Sequence, residues 1–289
     1  MNDHLPPVSS QTIEDISIQY LAYEGDSHST IVLLHATGFL PWLWHPIASR
    51  LAPEYRVIAP YFCDHRQTDP YKGGLDWMVL ARDLANLLSA LAIERPVLIG
   101  HSMGATVVTL AQSRYGLDAA GLILIEPIFF PEDYYRQAIT PEDHPLAAKS
   151  LKRRNRWADA AEMKTYLRTK PLFARWEKAF LDLYIEHGTK TNDDFGLELA
   201  CSPPNEAAIY MGGMSNDPWP LIPHIQCPVL VIEGAESENR QFIDLPAAAT
   251  RFPDCRYQRV PGAGHLVPME KSAKILQIIR EFSGTLAGG

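Results

Sequence analysis

Apolar positions along this chain recur in two rhythms. Short unbroken runs at residues 31–34, 97–99, 122–125 and 228–232 read as strands buried on both faces. Residues 13–24 alternate apolar and polar (Ile13, Ile16, Ile18, Tyr20, Ala22), the pattern of early strands in a half-exposed sheet. Residues 55–59 and 257–260 add two further short strands. The helical rhythm is clearest over residues 76–91, where Met78, Leu80, Leu84, Leu87, Leu88 and Leu91 share one face. It returns in the apolar run after residue 104, at 47–51 and in an amphipathic stretch at 272–282. Residues 26–29 read as a turn, and 60–74, with Pro60, Pro70, Gly73 and Gly74, as irregular.

Strand and helix alternate to residue 127, then the alternation stops. Residues 128–220 look mainly helical and irregular, rich in charge, aromatics and proline, before the buried-strand pattern returns at 228. This predicts an α/β fold: a mostly parallel sheet with helices on both faces, interrupted by an inserted helical cap. The boundaries read as a core of residues 1–128 and 223–289, with the cap at 129–222. No internal repeat or low-complexity segment is visible.

Composition narrows the function. The chain has 289 residues, enough for a sizeable core, and 46% hydrophobic with 21% charged residues is ordinary for a globular protein. A formal charge of -8 argues against a nucleic-acid partner, since no basic surplus exists to neutralise phosphates. The basic run at residues 152–156 reads as the solvated face of a helix. Cys63, Cys201, Cys227 and Cys255 are scattered without Cys-x-x-Cys spacing, so no metal site is expected and free thiols in a reducing cytoplasm are the reading. Residues 1–11 have no apolar signal core, and no run approaches a membrane span.

The chemistry gathers around Gly100-His101-Ser102-Met103-Gly104. This Gly-x-Ser-x-Gly closes a β-rich run and opens a helical one. It is the pattern of a sharp strand-to-helix turn that lifts a serine hydroxyl above a sheet, with glycines leaving room for the turn. A serine hydroxyl needs a base. His265, in the loop Pro261-Gly262-Ala263-Gly264-His265 between the last strand and last helix, is the candidate. His35 and His101 read as shaping the loops around the site. The base needs an acid to hold its tautomer. Glu126, at the carboxyl end of a strand, is preferred; Glu236 and Glu238 after the 228–232 strand are alternatives, and Asp244 a remoter one. Two peptide N–H groups are needed for an oxyanion. Met103, directly after the serine, and Thr37, after the 31–34 strand, are the candidates, with Gly38 and Phe39 as runners-up to Thr37.

Together, Leu33-Leu34-His35-Ala36-Thr37-Gly38, Gly100-His101-Ser102-Met103-Gly104 and Gly262-Ala263-Gly264-His265 resemble the α/β-hydrolase superfamily, which has the same chain order of serine, acid and histidine. The resemblance covers residues 13–128 and 223–285. Many relatives place an aspartate where this chain has Ser237, three residues after Gly234. Haloalkane dehalogenases of the superfamily carry a glutamate at the place of Glu126, but they and the epoxide hydrolases use an aspartate nucleophile, so Ser102 argues against both activities. Ala36, Ala105 and the segment around Cys63 to Arg66 also depart from the common pattern.

The resemblance implies a serine hydrolase acting on an ester or thioester of a small, largely apolar acyl substrate, with no cofactor or metal. Carbon–carbon and lactone hydrolysis use the same constellation. A different class of function, a small-ligand binding protein on the same fold, is kept open by Ser237. The aromatics of residues 129–222 read mostly as cap core, and partly as pocket lining or as a homodimer surface.

Overall fold

The computed structural model describes residues 5–25, 29–62, 65–66, 68–194 and 196–286. Its strands are β1 (Val8–Ile13), β2 (Ile16–Tyr23), β3 (Thr30–Leu34), β4 (Arg56–Pro60), β5 (Val97–His101), β6 (Gly121–Ile125), β7 (Arg156–Trp157), β8 (Thr189–Asn192), β9 (Gly196–Leu199), β10 (Val229–Gly234) and β11 (Cys255–Val260). Its α-helices are α1 (His45–Leu51), α2 (Trp77–Ala90), α3 (Met103–Tyr115), α4 (Pro145–Leu151), α5 (Ala160–Arg168), α6 (Lys178–His187), α7 (Pro203–Gly212), α8 (Leu245–Ala249), α9 (Val267–Glu270) and α10 (Ser272–Leu286). Much of the turn read at residues 26–29 lies outside the described residues, as do Cys63 and Asp64 of the departing segment.

Eight strands form one sheet in the order β1-β2-β4-β3-β5-β6-β10-β11. From β4 to β11 every neighbouring pair is parallel, and β1 and β2 add antiparallel pairs at one edge. The unbroken apolar runs are the central strands. Every residue of β3, β5 and β6 is buried, because helices cover both faces. Side chains alternate between the faces. Val32, Leu34, Leu98, Leu122 and Leu124 pack with α2 and α3. Ile31, Leu33, Val97, Ile99 and Ile123 pack with α1 and α10. Each fully buried Leu or Ile contributes roughly 2 kcal/mol of burial. Slipping a strand by one residue would exchange the two sets between cores. The fold is thus the α/β architecture read from the pattern.

Helix α2 begins where its side chain chemistry says it should. Asp76 caps it by accepting the N–H of Met78 at 2.7 Å. Helix α3 has no side-chain cap, although its N-cap position is Ser102, a residue type that commonly supplies one.

Between β6 and β10 the chain leaves the sheet. Helices α4 to α7 lie here, with a small antiparallel sheet in the order β7-β9-β8. The segment is therefore not helical throughout. β8 is Thr-Lys-Thr-Asn and largely solvent-facing, so its sequence carries no buried-strand signal. Trp157, Met163, Leu167, Phe180 and Tyr184 form its core, packed with Phe39 and Leu43 after β3 and with Leu266 and Met269 after β11. The inserted segment thus sits at the carboxyl ends of the parallel strands. Cys201 is disulfide-bonded, which corrects the expectation that all the cysteines are free thiols; Cys227 and Cys255 are free. Among the described residues no helix is long and apolar enough to cross a membrane.

Candidate active site

The elbow is a steric object. Ser102 follows β5 with φ 57° and ψ -119°, a conformation L-residues rarely adopt. A β-carbon at Gly100 would strike the backbone of Gly104 and Ala105, and one at Gly104 would come within 2.6 Å of the Leu34 carbonyl oxygen. The two glycines therefore permit the turn and the close approach of α3 to the end of β3. The Ser102 N–H donates to the Ile125 carbonyl at 2.9 Å, which ties the elbow to β6.

The next strand ends in the same way. Glu126 has φ 51°. Its N–H donates to the Ile232 carbonyl at 2.8 Å, and its side chain turns back toward the crevice, with only 1% exposed. Oε1 accepts the N–H of Gly234 at 2.6 Å, and Oε2 accepts the Ser237 hydroxyl at 2.7 Å. These partners offset the burial of a carboxylate.

His265 is brought back over these strand ends by its loop. Gly262 takes φ 66°, Gly264 donates its N–H to Glu270 at 2.7 Å, and the Ala263 carbonyl accepts from Glu236 N–H at 2.8 Å. The imidazole Nδ1 lies 2.9 Å from Glu126 Oε2, and Nε2 lies 3.1 Å from Ser102 Oγ. With its Nδ1 proton held by a carboxylate, an imidazole presents the Nε2 lone pair to the hydroxyl. The Asn239 amide lies 3.0 Å from the same Nδ1.

The other acid candidates lie elsewhere. Glu236 is half exposed and pairs with Arg175 at 2.6 Å. Glu238 is exposed at the start of a 3-10 turn, and Asp244 caps α8 by accepting the Ala247 N–H. The loop after β10 does reach the site, but Ser237 arrives there with a hydroxyl bonded to Glu126 instead of a carboxylate. Sequence reasoning passed over Ser237 and Asn239 as site residues. The one available signal was that Ser237 occupies the position of the relatives' aspartate.

Two further histidines frame the site in neutral form. Burial, helped by His265 nearby, pulls the His101 pKa down to about 3, and its Nε2 meets the His265 carbonyl at 2.9 Å. Burial pulls His35 down to about 4. Its Nε2 accepts the Phe62 N–H at 3.0 Å, so Nδ1 carries the proton and donates to the Ala36 carbonyl at 2.9 Å. The loop after β3 is thereby fixed. Within it the Phe39 N–H donates to the Ala36 carbonyl at 3.2 Å, which occupies one of the oxyanion runners-up. Thr37 is buried, with 5% exposed, and Met103 opens α3 with its peptide at the positive end of the helix.

The model of the alpha/beta hydrolase family matches residues 31–277. The chain is 35% identical over 81 residues to an uncharacterized protein of Mycobacterium tuberculosis, a match that covers 28% of this chain and only 24% of that protein. It is 27% identical over 267 residues to the esterase YbfF of Escherichia coli (strain K12), covering 89% of this chain and 93% of the esterase. The crystal structure of E-2-(acetamidomethylene)succinate hydrolase superposes with a TM-score of 0.79 at 21% identity, over 96% of this chain and all of that one, which is a likeness of fold. Since the family match spans most of the chain, from β3 into α10, this protein belongs to the alpha/beta hydrolase family.

Proposed function

We propose that this protein is a serine hydrolase that cleaves an ester or thioester of a small acyl substrate through an acyl-enzyme. The observation that carries the reading is the chain of contacts Ser102 Oγ, His265 Nε2, His265 Nδ1 and Glu126 Oε2, with both separations at or below 3.1 Å. In this reading Ser102 attacks the carbonyl carbon while His265 takes its proton. Glu126 holds the Nδ1 proton and stabilises the imidazolium. The Met103 and Thr37 peptide N–H groups receive the oxyanion. His265 then protonates the leaving alcohol or thiol. Water, deprotonated by the same imidazole, attacks the acyl-enzyme and releases the acid.

Residues 129–222 act as a cap over a core of 1–128 and 223–289. Aromatics of the cap and Phe39 wall the acyl side: Phe39 meets Trp176 at 5.4 Å and Tyr184 at 5.7 Å between ring centroids. The similarity to an esterase over most of both chains supports ester hydrolysis.

Labelling with a fluorophosphonate, read by intact mass, tests this. Wild type should gain one adduct and Ser102→Ala none, with turnover of short esters falling by about 10⁴-fold or more in the variant. An unlabelled wild type would turn the reading toward a ligand-binding protein. A panel of esters, thioesters, lactones and β-diketones then fixes the bond that is cleaved.

A further inference from the structure

One ionic cluster stands directly over the loop after β3 and has no place in the steps above. Arg153, just beyond α4, donates one N–H to Glu206 of α7 and another to the Tyr184 hydroxyl of α6, the latter at 2.9 Å. Both of these partners touch the loop that carries Thr37. Glu206 lies so close to Gly38 that a β-carbon there would collide with its Oε1. The Tyr184 ring meets Phe39 edge-on at 5.7 Å. The guanidinium is therefore braced between two side chains that both rest on the oxyanion loop.

The three members differ in exposure. Glu206 keeps 8% of its side chain accessible and Tyr184 is 4% exposed, but Arg153 keeps 26%. A guanidinium has five N–H donors. Two are used here among the described residues, and the partly accessible side chain keeps three more. Its partner Tyr184 in turn packs against the rings of Phe39, Phe173 and Trp176. An ion pair in such surroundings is a poor source of stability, because desolvation consumes its Coulomb energy. What the pair does supply is a fixed guanidinium plane in a low-dielectric site, the arrangement that favours paired hydrogen bonds to a carboxylate.

We propose that Arg153 binds a carboxylate borne by the substrate itself, a few bonds from the scissile carbonyl, with Glu206 and Tyr184 holding it in position. The preferred substrate class is then a monoester or monothioester of a dicarboxylic acid, a refinement of the largely apolar acyl group expected from the sequence. The position of the scissile carbonyl rests on the serine-hydrolase reading above; the recognition of the carboxylate does not. With a net charge of -8 the chain as a whole repels anions, so any preference for one must be local.

Three phenyl esters of matched length provide the test: the monoester of succinic acid, the butyrate and the 4-aminobutyrate. Wild type should favour the succinate monoester over butyrate by about tenfold or more in kcat/KM, mainly through KM. Arg153→Met combined with Glu206→Gln, which leaves no lone buried charge, should bring that ratio to one or below. Arg153→Lys should restore part of it. Equal use of the acid and the neutral ester by wild type, preference for the amine, or an unchanged ratio in the double variant would each overturn the proposal. A binding measurement separates it from the hydrolase reading. Monomethyl succinate, titrated calorimetrically into Ser102→Ala, should bind about tenfold or more tightly than into the same protein carrying the Arg153 and Glu206 changes. Arg153-dependent binding without fluorophosphonate labelling of wild type would sink the hydrolase reading alone. Labelling with charge-independent binding would sink this one alone.

Discussion

The ends of β5 and β6 invite comparison, because adjacent parallel strands finish in the same unusual way. Ser102 has φ 57° and Glu126 has φ 51°. Both are non-glycine residues held in left-handed backbone, at a cost of order 1–2 kcal/mol each, and both side chains reach His265. Their support differs. Ser102 is accommodated by empty space: Gly100 and Gly104 make room for the turn within a few residues of sequence. Glu126 is accommodated by bonds: its backbone N–H goes to Ile232 and its carboxylate to Gly234 and Ser237, all more than a hundred residues away. The same backbone strain is thus permitted locally in one case and clamped from a distance in the other. A local device leaves a motif in the sequence, whereas a distant clamp leaves none.

Three substitutions sharpen this contrast, beginning with the largest expected effect. Glu126→Gln keeps the size and one acceptor oxygen for the long-range anchors but removes the charge that holds the imidazole. Turnover should fall by about 10³-fold or more with KM little changed, and fluorophosphonate labelling should slow in parallel. Normal labelling of this variant would remove Glu126 from the site. Gly104→Ala attacks the local device. The added β-carbon, 2.6 Å from the Leu34 carbonyl oxygen, has to push α3 away from β3. Urea unfolding should report a loss of about 3 kcal/mol, with activity falling as well. An unchanged midpoint would mean that the elbow tolerates more volume than its geometry implies. Ser237→Ala loosens the distant clamp by a single bond. Loss of the 2.7 Å hydrogen bond to Glu126 should reduce kcat about fivefold to tenfold, equivalent to about 1 kcal/mol. If stability fell but kcat did not, Ser237 would be supporting the loop after β10 rather than the carboxylate.

Much of the fold was legible because its signals are local. Continuous apolar runs became β3, β5, β6 and β10, and the heptad-like spacing after Asp76 became α2. The insertion was legible as an interruption but not in detail. Its small sheet is built from polar, half-exposed strands such as Thr189–Asn192, which carry no burial pattern to read. The helix Val267–Glu270 was missed for a related reason: four residues containing a proline are too short to show periodicity. The glycine-bracketed residues of the candidate site stood out, whereas Asn239 had no motif around it, and the basic run 152–156, read as a solvated helix face, lies beyond α4 with Arg153 paired to Glu206 and Tyr184.

The sequence by itself determined the alternation that builds a parallel sheet, the elbow at Ser102 and the glycine-rich loop that carries His265, since each depends on residues a few positions apart. Only the tertiary structure decided which carboxylate meets His265. That choice depends on β6 and β10 lying side by side, so that the Gly234 N–H and the Ser237 hydroxyl arrive beside Glu126 while Glu236 turns outward to Arg175. It likewise decided that Arg153, Tyr184 and Glu206 converge above Gly38 and Phe39. Contacts across thirty to more than a hundred residues are set by packing, and a linear chain has no local pattern in which to record them.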